Sequence, residues 1–267
     1  MLKDITLGQY FPGNTPVHRM DPRIKLVLLV LYIVALFMAK GLITYLVMFA
    51  LLCLAVGTAR IRPKAMLRGM KPVVFILVFT TVINMLYTPG DPLVKLWIFT
   101  VTRQGLRNAG FMIWRILMLI SCTFLLTYTT SPIQLTDALE RLLNPLKKLH
   151  VPVHELSMMM SIALRFIPTL IEETDKIMSA QRSRGADFDS GGLIRRAKAL
   201  LPLLVPLFVS AFRRADELAT AMECRCYHGG EGRTRMKVLR CRPSDVAALC
   251  CGIALCAGVG VLGLLGL

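Results

Sequence analysis

The sequence predicts an all-α integral membrane protein, with about five transmembrane helices and a basic cytoplasmic region of long helices. Three observations carry that expectation. Hydrophobic residues make up 55% of the 267 and the mean hydropathy is positive, too much apolar material for an ordinary soluble domain. The apolar residues gather into runs approaching the roughly 20 that a helix needs to cross a bilayer core. The 32 Lys and Arg, against 16 Asp and Glu, stand mostly between those runs, where topology places them in cytoplasmic loops. A net charge of +16 also suits nucleic acid, but no recognised nucleic-acid motif is present. The eight cysteines lie in apolar segments or in the basic region, and they form no secreted disulfide framework.

The chain opens on a polar, turn-rich arm, and its first apolar run waits until Ile24, so a cleaved signal peptide is not expected. Asp21 and Pro22 have the character of an N-cap and a first helical residue. His18, Arg19, Arg23 and Lys25 then fall at the headgroup boundary, as snorkelling anchors or in a specific structural role. Runs from Ile24 to Ala39 and from Leu42 to Thr58, parted by Lys40-Gly41, make a helical hairpin. The cluster Arg60, Arg62, Lys64, Arg68 and Lys71 follows. The positive-inside rule puts that cluster, and with it the N-terminus, in the cytoplasm.

The third run, Pro72 to Tyr87, ends at the loop Thr88-Pro89-Gly90-Asp91-Pro92. Its Asn84 reads as a hydrogen-bonding partner for a neighbouring helix rather than part of a substrate path. Asp91 to Arg107 is an outer or interfacial connection with Trp97 as headgroup anchor, and Leu106 to Tyr128 returns inward. Arg115 lies within that span, where a charge needs water or a partner, and a structural role is expected. The last run, Val246 to Leu267, carries no charge and leaves the C-terminus outside. Its Gly252, Gly258, Gly260 and Gly263 permit close helix packing. None of the five runs contains Asp, Glu or His, which disfavours a secondary transporter with an intramembrane proton or ion relay.

The chain divides into residues 1–130, with four spans, a cytoplasmic region 131–242, and a final helix 243–267. In the middle region Ser131-Pro132-Ile133-Gln134 has the spacing of a capping box, and an amphipathic stripe follows until Asn144-Pro145 breaks it. His154 to Gly185 forms a longer helix bent at Pro168, with Gly185 suited to the left-handed position that ends it. Another helix runs from Leu193 to about Tyr227, kinked near Pro202 and Pro206 and stopped by His228-Gly229-Gly230. Its apolar patch, Leu200 to Phe212, is too short to span and reads as a surface that packs on other helices at the membrane face. Met158, Met159 and Met160 could offer an adaptable groove, although core packing is the simpler use.

Ser183-Arg184-Gly185 and Cys224-Arg225-Cys226, each near a helix end and about forty residues apart, resemble the two Xaa-Arg-Xaa motifs of the transmembrane T component of energy-coupling factor transporters. His18-Arg19-Met20-Asp21-Pro22-Arg23-Ile24-Lys25-Leu26, Arg165-Phe166-Ile167-Pro168-Thr169-Leu170 and Gln181 to Gly185 are similar to that family's wording too, so the resemblance covers nearly the whole chain. Cys226 departs from it, standing where Gly is usual, and an altered helix-end geometry is expected there. The resemblance implies that the long cytoplasmic helices are coupling helices. It also implies two cytoplasmic ABC ATPases as partners, identical or different, carrying ATP and Mg themselves, and a membrane-embedded substrate-binding S component for a vitamin or other micronutrient. Arg184 and Arg225, with Ser183, Gly185, Cys224 and Cys226 beside them, would contact the ATPases. A guanidinium offers a fixed fork of donors that stays charged throughout a cycle.

No Gly-Lys dipeptide occurs, so the chain has no Walker A loop of its own. Cys224-x-Cys226-x-His228 has the residue types of a metal site. Residues two apart on a helix point to different faces, however, so no metal or cofactor is expected on this chain. The alternative from another class is a membrane-bound enzyme holding an anionic lipid with its basic loops, but no general base or metal cluster stands at a suitable spacing.

Overall fold

A computed structural model describes residues 10–39, 41–87, 92–96, 99–186, 188, 192–229 and 241–264. In chain order the elements are α1 (Pro16–Arg19), α2 (Pro22–Met38), α3 (Leu42–Ala59), α4 (Pro63–Tyr87), β1 (Pro92–Leu96), β2 (Phe99–Thr102), α5 (Arg103–Thr129), α6 (Pro132–Leu143), α7 (Val153–Ser183), α8 (Leu193–Cys224) and α9 (Pro243–Leu264). The architecture is all-α apart from the short antiparallel ribbon of β1 and β2, paired from Pro92↔Thr102 to Leu96↔Phe99 within the expected connection. The expectations for Lys40, for Thr88 to Asp91 and for Trp97 lie outside the described residues. The chain divides into two compact units, one holding 8–135 and 239–267 and the other 136–238.

In the first unit α3, α4, α5 and α9 are long and apolar enough to cross a membrane. The fifth expected span, α2, has 17 residues. At 1.5 Å per residue it reaches about 26 Å, a little under the hydrocarbon thickness. The start of α2 follows the sequence: Asp21 accepts from the Arg23 N–H at 3.0 Å and Pro22 takes the first turn. Its middle packs into a core of Tyr32, Ala35, Leu36, Tyr45, Met48, Leu52, Met118 and Val259. On α4, by contrast, Phe75, Ile76 and Phe79 stand exposed, as lipid-facing side chains do.

Three sequence-drawn boundaries move. α4 begins at Pro63 rather than Pro72, and Pro72 lies inside it. A proline within a spanning helix is tolerated because neighbouring groups can take up the freed carbonyl. α9 begins at Pro243 and so carries Asp245 in its first turn, 2% exposed, although the apolar run had none. α8 ends at Cys224, before the glycine pair expected to stop it.

The intramembrane polar groups find partners. Arg115 donates from Nε to the Tyr45 hydroxyl at 2.9 Å and from Nη2 to the Ala39 carbonyl at 3.3 Å, capping the end of α2, and its guanidinium lies over the Phe37 ring. Asn84 reaches the Thr80 carbonyl and the Met112 sulfur on α5. Of the four glycines on α9, three approach α2: a Cβ on Gly252 would collide with Leu28, on Gly260 it would crowd the Met38 methyl at 3.2 Å, and on Gly263 the Met38 carbonyl at 3.3 Å. The fourth, Gly258, meets open space.

The second unit is built on α7 and α8, preceded by α6 and a 3-10 turn over Asn144–Leu149. α6 opens on the expected capping box: Ser131 Oγ accepts from the Gln134 N–H, and Gln134 Oε1 accepts from the Ser131 N–H, both at 3.3 Å. Glu140 of α6 accepts from Ser157 Oγ at 2.9 Å and lies 3.1 Å from His154 Nδ1, tying α6 to the start of α7.

Candidate functional site at two helix ends

α7 and α8 form an antiparallel hairpin. Gln181, near the end of α7, donates to the Pro202 carbonyl near the start of α8. Farther along, Glu173 is gripped by Arg214 through Nε at 3.1 Å and Nη2 at 2.8 Å, and accepts from the Ser210 hydroxyl. Farther still, Ile162 and Phe166 share a groove with Leu218 and Met222. The Ser210 hydroxyl and the Arg214 guanidinium, outweighing partial burial, hold the Glu173 carboxyl below the usual carboxylate range.

This pairing puts the two arginine motifs at opposite ends of the hairpin. α8 has 32 residues, a rise of about 48 Å, and that length sets the scale of the separation. Each end is built the same way. Ser183 is the last helical residue of α7 and Arg184 its C-cap at φ −88°, ψ 6°. Cys224 is the last residue of α8 and Arg225 its C-cap at φ −92°, ψ 14°. Gly185 then turns left-handed at φ 87° and Cys226 at φ 56°.

The backbone bonds match as well. Gly185 N–H donates to Arg182 and Ala186 N–H to Gln181, at 2.9 and 3.0 Å; Cys226 N–H donates to Glu223 and Tyr227 N–H to Met222, at 2.8 and 3.1 Å. Both ends are therefore Schellman motifs. Cys226 does not alter the helix-end geometry, contrary to the expectation: it adopts the conformation that Gly185 adopts, at a steric cost that glycine avoids.

All six motif residues are exposed, and among the described residues neither the Arg184 nor the Arg225 guanidinium has an acceptor. The motif residues thus form two separate knobs. Cys224 ends the helix and Cys226 has left it, and among the described residues no group of three or more His, Cys, Asp or Glu is placed to hold a metal ion. The outer face of α8 is apolar and uncovered: Leu204, Val205, Phe208, Val209 and Phe212 are each more than half exposed. Met159 and Met160 of α7 are exposed also, so neither serves the core packing expected of it within this chain.

Sequence reasoning missed the Glu173–Arg214 grip and, beyond the Asp21 cap, the way the buried groups of the membrane unit join. Asp21 and Asp245 are 4% and 2% exposed; Asp245 Oδ2 accepts from Arg242 N–H at 3.1 Å and from Asp21 N–H at 3.4 Å. Lys25, 6% exposed, reaches the Thr129 carbonyl at 2.9 Å and the Thr130 hydroxyl at 3.2 Å. A further sequence signal was Pro243-Ser244-Asp245, with proline and an acidic residue in the first turn of a helix.

A unit of helices long and apolar enough to cross a membrane, joined in the chain to a unit of long helices with paired arginine ends, defines the class: an all-α multi-pass membrane protein. Comparison with known sequences narrows it. Residues 13–236 match the CbiQ family, described as Cobalt transport protein. The chain is 55% identical to the "Energy-coupling factor transporter transmembrane protein EcfT" of Heliobacterium modesticaldum, over 92% of this chain and 93% of that one. It is 50% identical to the protein of the same name from Clostridium kluyveri, over 97% of each, and 47% identical to that of Bacillus subtilis, over 96% and 97%. The chain belongs to this EcfT family of energy-coupling factor transporter transmembrane proteins.

Proposed function

We propose that the chain transmits ATP-driven movement of two cytoplasmic ABC ATPases, identical or different, to a membrane-embedded substrate-binding S component that takes up a vitamin or other micronutrient. The observation that carries this reading is the duplicated helix end: two Schellman-terminated helices present exposed C-cap arginines at opposite ends of one hairpin. A dimer of ATPases offers two equivalent grooves, and a rigid hairpin with like ends can engage both. Arg184, flanked by Ser183 and Gly185, docks on one ATPase, and Arg225, flanked by Cys224 and Cys226, on the other. ATP and Mg stay on those partners. ATP-driven closure displaces the two knobs together, and the exposed apolar face of α8 passes the displacement to the S component.

In this reading the N-terminus is cytoplasmic and the C-terminus outside. The starts of α2 and α9 and the end of α5 are hydrogen-bonded together, which supports their lying on one side of the membrane. The basic residues Arg60, Arg62, Lys64 and Arg68 lie between α3 and α4 or in the first turns of α4, and the positive-inside rule makes that side cytoplasmic.

The test is replacement of Arg184 and Arg225 by Ala, separately and together. Loss of one desolvated, hydrogen-bonded arginine costs about 2–5 kcal/mol at an interface. The double variant is expected to insert in the membrane at the normal level but to lose co-purification with the ATPases and coupled uptake. Normal assembly and transport in that variant would overturn the proposal.

A further inference from the structure

A cavity of about 290 Å³ opens within the membrane unit. Its walls come from four helices of that unit, with Leu28 on α2, Leu51 and Ala55 on α3, Cys122 and Leu126 on α5, and Leu255 on α9. Its mouth lies between α3 and α9, where Leu54 and Cys251 are exposed. The lining is mostly apolar, with Lys25, Thr58 and Thr129 at one end and Tyr32, whose hydroxyl donates to the Met48 carbonyl, farther in.

We propose that this cleft binds one acyl chain of an anionic phospholipid, drawn from the leaflet at the N-terminal end of α2, with the lipid phosphate at the cleft's polar end. An empty apolar cleft forfeits the dispersion contacts of its lining, and water finds too few polar partners there to fill it. A lipid chain entering sideways supplies the contacts.

The charge at the polar end selects the headgroup. Lys25 Nζ donates to the His18 carbonyl at 3.4 Å, the Thr129 carbonyl at 2.9 Å and the Thr130 hydroxyl at 3.2 Å, all neutral oxygens. Among the described residues its ammonium has no carboxylate in ion-pair contact. Arg60, exposed and two residues past Thr58, adds a second cation at the same end, and Arg62 a third. With the three Lys25 donors already taken and the Asp21 and Asp245 carboxylates near enough to offset its charge, a phosphodiester there pairs with the exposed Arg60 and Arg62.

The experiment places the full chain in nanodiscs containing phosphatidylglycerol or phosphatidylcholine with a photoactivatable diazirine in the acyl chain, and maps the adducts by mass spectrometry. Phosphatidylglycerol adducts are expected to concentrate on residues 51–58, 122–129 and 248–255. They should exceed those of phosphatidylcholine about fivefold, the effect of one well-placed cation at a membrane surface. Ala55→Phe, which fills the cleft, should remove these adducts while leaving those on Phe75 and Phe79 of α4 unchanged. Arg60→Gln, at an exposed residue, should bring the two lipids towards parity without abolishing labelling. If Ala55→Phe does not fold, Cys251→Trp at the exposed mouth replaces it. Even labelling over all lipid-facing helices, equal labelling by the two lipids, or replacement of the adducts by protein–protein crosslinks when the chain is purified with a membrane partner would each overturn the proposal.

Discussion

Cys226 holds a left-handed backbone at φ 56° with a side chain that disfavours it, whereas Gly185 does the same work at φ 87° without a Cβ. For an L-residue that region costs on the order of 1–2 kcal/mol, and a glycine there gives back part of the gain through its freer unfolded chain. Cys226→Gly is therefore expected to stabilise the end of α8 by about 0.5–1 kcal/mol. The readout is the apparent midpoint of thermal unfolding of the full chain in detergent, which should rise for Cys226→Gly and fall for Gly185→Ala. A fall in both would mean that the Cys226 side chain contributes something that strain does not outweigh. The two ends differed in legibility for the same reason. Glycine announces a left-handed position, and Gly185 was readable as a helix stop. Cysteine has no such preference, so the stop at Cys226 was misplaced to the glycines beyond it.

Along the helices, the antiparallel pairing of α7 with α8 rests on residues far apart in the chain, such as Gln181 with Pro202, Glu173 with Arg214 and Phe166 with Leu218. Local pattern could give the existence of both helices, their amphipathic character and their tolerance of prolines, but a register between them has no local signature. Glu173 is the polar point of that register. Its carboxyl titrates below the ordinary carboxylate value of 4.5, so its contribution is present in full above that value and is lost as pH falls through the lowered one. The hairpin should accordingly be insensitive to pH between about 5 and 8 and loosen only in stronger acid. In a double-mutant cycle, Glu173→Gln and Arg214→Met are expected to couple by about 1 kcal/mol, the upper part of the range for partly exposed pairs. Coupling indistinguishable from zero in the apparent unfolding midpoint would show that apolar packing around Phe166 and Leu218 alone holds the register.

For the molecule as a whole, the apolar runs were legible because bilayer crossing imposes a length and a composition on contiguous residues. The joint that closes the membrane unit was not, because its members come from residues 21, 25, 129, 130 and 245. Asp21 caps the start of α2, Lys25 caps the end of α5, and Asp245 caps the start of α9 while also accepting from Asp21 N–H. Three helix termini are thereby satisfied by side chains that are themselves buried. Removing Asp245 leaves the buried Asp21 N–H and the part-buried Arg242 N–H without that acceptor and takes an anion from the neighbourhood of Lys25. Asp245→Ala is expected to cost about 1–3 kcal/mol, the penalty for an unsatisfied buried polar group. Asp245→Asn, which retains an acceptor oxygen, should cost less. The order wild type, Asn, Ala in apparent thermal midpoint is the expected result. Equal losses in the two variants would assign the joint's strength to charge, and no loss in either would mean that the glycine-lined contact of α9 with α2 closes the unit unaided.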